Sequence, residues 1–78
     1  MGSIHSSKYK RFLKRLRAAR QEAGFTQVQV SKALGQTQSF VSKCESGERR
    51  VDAVELEAFA NLYKKPLSYF LPEKGNGT

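Results

Sequence analysis

Apolar residues recur along this chain at helical spacing, and capping residues, glycines and prolines divide them into five segments. From Lys8 to Ala23, Phe12, Leu13, Leu16 and Ala19 form one stripe, and Gly24 follows as terminator. Thr26 offers its hydroxyl to the first turn of a second helix, and Gln29 can return a bond to the Thr26 amide, which makes a capping box. Val30, Ala33 and Leu34 form the apolar face of that helix and Gly35 stops it. Thr37 then offers a cap to a third helix, with Val41 and Cys44 as its seam and Gly47 as its end. Asp52 caps a fourth helix running to about Tyr63, where Leu56, Phe59, Ala60 and Tyr63 fall at i, i+3, i+4 and i+7. Val51 or Val54 flanks that face, while Glu55 and Glu57 point outward. Pro66 opens a short fifth helix, Leu67 to Leu71, and Pro72 ends it. The pattern predicts an all-α domain over residues 8–72, between a flexible segment 1–7 and a tail 73–78.

The second and third segments are joined so closely that they read as a helix-turn-helix. Once Val41 and Cys44 face inward, Gln38, Ser39, Ser42 and Lys43 are left on the outer side of the third helix. Such side chains suit base edges in a major groove, where Gln bonds adenine bidentately and Lys reaches guanine or phosphate. The plainer reading is a solvated polar surface.

Charge adds weight to the first reading. The net charge is +7, and residues 1–50 hold eleven Lys and Arg against three acids, whereas residues 51–78 hold three against four. Lys8, Lys10, Arg11, Lys14, Arg15 and Arg17 crowd one helix, an arrangement that a polyanion relieves. Arg49 and Arg50 lie in the loop before the fourth helix, where they either touch phosphates or form a solvated pair.

Arg20, Gly24, Thr26-Gln27, Gly35, Gln38-Ser39, Val41-Ser42-Lys43, Glu45 and Gly47, in this order, resemble the phage-repressor and Cro-like helix-turn-helix family, also called XRE. The likeness covers residues 10 to 71 and departs at Val28, where an acidic or polar residue is usual, and at Cys44, where a larger apolar one is. It implies a compact five-helix bundle, a lambda-repressor-like domain, that binds operator DNA as a dimer and regulates transcription, mostly as a repressor. It also implies an ion pair between Arg20 and Glu45, and a phosphate contact from Gln27 at the start of the second helix. Arg17, Arg49 and Arg50 are the further phosphate candidates. An antitoxin-like protein-interaction module built on the same bundle is the alternative.

A short recognition helix reads few base pairs, so two copies are expected, and Leu67, Tyr69, Phe70 and Leu71 offer more apolar surface than one small core absorbs. That surface is the expected homodimer contact. The single cysteine excludes an internal disulfide and no Cys/His cluster has ligand spacing, which points to a cytoplasmic protein without a metal. No apolar run is long enough for a membrane span. Cys44 sits on the inward seam without a histidine partner, so no catalytic role, cofactor or small-molecule ligand is expected.

Overall fold

The computed structural model describes residues 6–71, which form five helices: α1 (Ser7–Ala23), α2 (Gln27–Ala33), α3 (Phe40–Ser46), α4 (Ala53–Tyr63) and α5 (Leu67–Phe70). The expected ends of the flexible segments, and Pro72 as terminator, lie largely outside the described residues. Ser6 caps α1, its hydroxyl accepting the Tyr9 amide at 3.1 Å. At the other end, the Gly24 amide donates to the Gln21 carbonyl and the Phe25 amide to that of Arg20, which closes the helix and folds Phe25 back onto the bundle.

Capping boxes open both α2 and α4. Thr26 and Gln29 exchange bonds of 2.9 and 3.1 Å, and Asp52 and Glu55 do the same at 2.7 and 3.1 Å. The helices then enclose a core of Phe12, Leu16, Ala19, Val30, Phe40, Val41, Cys44, Phe59, Ala60, Tyr63 and Phe70. Phe59 stacks between Phe40 and Tyr63, so α3 and α4 are joined through three aromatic rings. α1 packs on α3, α4 and α5, and α2 rests on α3.

Several expectations change. Ala33 is exposed, and Ser31 takes the buried position beside Val30 instead. α3 begins at Phe40 and not next to Thr37: the Thr37 carbonyl accepts the Phe40 amide at 3.0 Å, so a backbone turn leads into the helix and no side chain caps it. Glu55 does not point into solvent but binds Arg49. Leu56 and Leu13 are half-buried, Val51 flanks the core, and Val54 is exposed. Phe70 is buried in the core and cannot contribute to a contact surface, which leaves Leu67 and Leu71 as the exposed pair.

Two glycines have left-handed backbones that the motif needs. Gly35, at φ 69°, turns the chain after α2. Gly47, at φ 87°, ends α3 where α1 approaches so closely that a Cβ would lie 3.1 Å from Leu13 Cδ1. Lys64 adopts the same conformation at φ 59° as the end of α4, although it has a Cβ to accommodate.

Candidate nucleic-acid interface

The surface in question is built on three contacts that fix α2 and α3. First, the fully buried Ser31 hydroxyl accepts the Val41 amide at 3.1 Å, satisfying a donor in the uncapped first turn of α3. Second, Val41 and Cys44 bury the inner side of α3. Third, Arg20 on α1 reaches Glu45 on α3 through Nε at 2.7 Å and Nη2 at 3.1 Å. This bidentate pair is nearly dry, with side chains 10% and 4% exposed. Arg20 Nη1 also donates to the Phe25 carbonyl at 2.9 Å, and the Glu45 hydrogen bond raises the guanidinium pKa above its ordinary value.

All four candidate base readers are exposed. Ser42 and Lys43 lie on α3, but Gln38 and Ser39 belong to the turn before it. The candidate readers are therefore divided between turn and helix. Ser39 makes no capping bond with its side chain. Gln38 shares a shallow cleft of about 330 Å³ with Val28, Lys32 and Gln36, three residues that the sequence reading did not assign to the interface. The one available signal was Val28, an apolar residue where the family pattern is polar.

The phosphate candidates separate. Arg17 is exposed on α1. Gln27 is half-buried, and its Nε2 donates to Glu45 Oε1 at 3.0 Å, so the Arg20–Glu45 pair also holds the first side chain of α2. Arg49 is occupied within the fold. Its two terminal nitrogens each lie 2.7 Å from a Glu55 oxygen, and its guanidinium covers the Phe40 ring at 5.0 Å. That bond holds the Glu55 carboxyl below its ordinary pKa. Arg50 lies over the Tyr9 ring at 5.1 Å, and Tyr9 Oη in turn accepts the Val51 amide at 3.0 Å. Of the seven cations on α1, Arg15 is, like Arg20, bonded within the fold, donating to the Tyr69 carbonyl at 2.9 Å and standing over its ring.

At the α5 end, Leu67 and Leu71 are about half exposed. Tyr69 is half-buried between the Arg15 and Lys65 cations, and Lys65 is held by Glu22 at 2.7 Å. Leu71 also borders an apolar cleft of about 330 Å³ with Tyr9, Phe12, Val51 and Leu56. Cys44 is fully buried, and burial pushes its thiol pKa up, away from the thiolate that nucleophilic chemistry requires. Among the described residues, no three His, Cys, Asp or Glu side chains gather as metal ligands, and no helix is long and apolar enough to cross a membrane.

Comparison with known proteins agrees with this fold. A family model described as a helix-turn-helix domain matches residues 11–66. Among solved structures, an XRE-family like protein from Pseudomonas syringae pv. tomato str. DC3000 is 39% identical and superposes with a TM-score of 0.77 over 86% of this chain and 82% of that one. No curated protein sequence matches the chain significantly.

Proposed function

Because the chain belongs to the XRE type of helix-turn-helix family, and on that account is a DNA-binding regulator, we propose that it recognises a specific duplex sequence and represses transcription in the cytoplasm from a palindromic operator. Gln38, Ser39, Ser42 and Lys43 face the base edges, with Gln38 pairing an adenine edge. Gln27 and Arg17 contact phosphate beside them, and Arg50 does so from the loop. The observation that carries this reading is the exposure of all four readers, two in the turn before α3 and two on α3, whose inner face is held by Val41, Cys44 and Glu45. Polar groups held on a rigid support are what a base-reading surface needs.

Two copies act together, meeting through Leu67 and Leu71 with the rim of Tyr69, since one recognition element spans too few base pairs to select a site. The apolar cleft beside Leu71 is the observation that favours the other reading, a module that binds another protein. Selection from a random duplex library separates the two. A palindromic consensus supports the regulator, and failure to retain any duplex at low salt overturns it. On the selected site, Gln38→Ala should cost about 1 to 3 kcal/mol and relax preference at one base position. Sedimentation of the complex should give two chains per site, and Leu71→Asp should abolish the cooperativity.

A further inference from the structure

The cleft bordered by Val28, Lys32, Gln36 and Gln38 is lined in part by the turn that carries Gln38. Val28 and Lys32 are four positions apart and so lie on one flank of α2. Both are exposed, as is Gln36, which also lines the cleft. The Lys32 ammonium has no ion-pair partner among the described residues, unlike Arg20, Arg49 and Lys65.

Resting on the reading of Gln38 as a base contact, we infer that this cleft seats one backbone phosphate and its deoxyribose from the strand next to the base read by Gln38. The width of the groove requires something of this kind. A major groove is about 12 Å across, so a side chain on its floor has a sugar-phosphate strand only about 6 Å to either side. A recess adjoining Gln38 on the α2 side therefore meets a strand and not another base. Its lining matches that occupant. Lys32 supplies a point charge and Gln36 an amide donor for the phosphate oxygens, while Val28 presents an apolar wall to the face of the sugar. The Val at position 28, anomalous for a solvent-facing helix position, becomes a packing surface. The clamp fixes how far the reading turn sits from one strand, and so sets the register of Gln38 without reading a base itself.

The test is a phosphate scan on the selected site, replacing one phosphate at a time by an uncharged methylphosphonate. Wild type and Lys32→Gln are compared, with Lys64→Gln on the end of α4 as a remote cation control. Wild type should lose affinity at one phosphate flanking the Gln38 base, and Lys32→Gln should be indifferent to replacement there while remaining sensitive elsewhere. The salt dependence of Lys32→Gln should also be shallower by about 0.9 in log–log slope, with base preference retained. An equal response of Lys32→Gln and Lys64→Gln, or a Lys32→Gln loss that couples to no single phosphate, overturns the clamp but leaves base reading by Gln38 in place. A wild-type protein that binds no duplex overturns both.

Discussion

Removing either member of the Arg20–Glu45 pair should nearly unfold the domain, whereas replacing both by apolar residues should not. The pair is bidentate at 2.7 and 3.1 Å, its side chains are 10% and 4% exposed, and each partner has one further bond, Arg20 to the Phe25 carbonyl and Glu45 to Gln27. Glu45→Met leaves a guanidinium with a single carbonyl acceptor in a dry setting. Arg20→Met leaves a carboxylate held only by an amide. Breaking a buried pair from one side costs about 3 to 5 kcal/mol, because the surviving charge stays uncompensated. A single core in a domain of this size supplies about 3 to 5 kcal/mol in total. Each single variant should therefore melt near or below room temperature. The double variant removes both charges and fills their space with methionine, so it should recover most of the loss and be more stable than either parent variant. Urea titrations of the four proteins, followed by circular dichroism, give the coupling directly. Two single losses under about 1 kcal/mol that simply add in the double variant would refute the argument, since that is how exposed, independent charges behave.

Arg49→Ala should lower the melting temperature modestly by uncovering Phe40 and removing the ion pair to Glu55, a loss visible in thermal melts without any DNA. The same pair predicts part of the acid limb. Because Arg49 depresses the folded-state pKa of Glu55, its contribution is present above the ordinary carboxylate value of 4.5 and is lost as pH falls through the depressed one, so Glu55→Gln should flatten the stability profile there. Tyr63 Oη is buried without a hydrogen-bond partner among the described residues, and burial raises its pKa, so Tyr63→Phe should keep or raise stability by up to about 1 kcal/mol; a comparable loss would show the hydroxyl to be bonded. Lys64→Gly should raise the melting temperature, by about 0.5 to 1 kcal/mol of stability, by relieving a left-handed residue that carries a Cβ.

Where the fold follows local chemistry, it was legible in the sequence. The Thr26–Gln29 box, the Asp52 cap and the terminators Gly24 and Gly47 each act within a few residues and need no tertiary partner to be recognised. What escaped depends on distant contacts. α3 starts late because Phe40 is drawn onto Phe59, and the Thr37 backbone closes the turn in place of its side chain. Ser31 displaces Ala33 from the interior because a small hydroxyl there finds the Val41 amide, a partner ten residues away. Arg49 is bonded to Glu55, and nothing in its immediate sequence announced that Glu55 would fold back onto it across the α4 cap. The base-reading candidates were identifiable as exposed polar residues, but their division between a turn and a helix was not.

The Ser31–Val41 hydrogen bond has a consequence for the duplex itself. It ties the interior of α2 to the first turn of α3, and Glu45 ties α3 to both Gln27 and Arg20, so the two helices present their outer surfaces as one stiff wedge. The more firmly these bonds hold the wedge, the more a bound duplex must conform to it. A duplex whose groove width or step flexibility suits the wedge would bind without deformation, and another would have to bend or twist at an energetic cost. Discrimination would then extend to base pairs that no side chain reaches, imposed by the Ser31 hydroxyl together with the Glu45 bonds to Arg20 and Gln27.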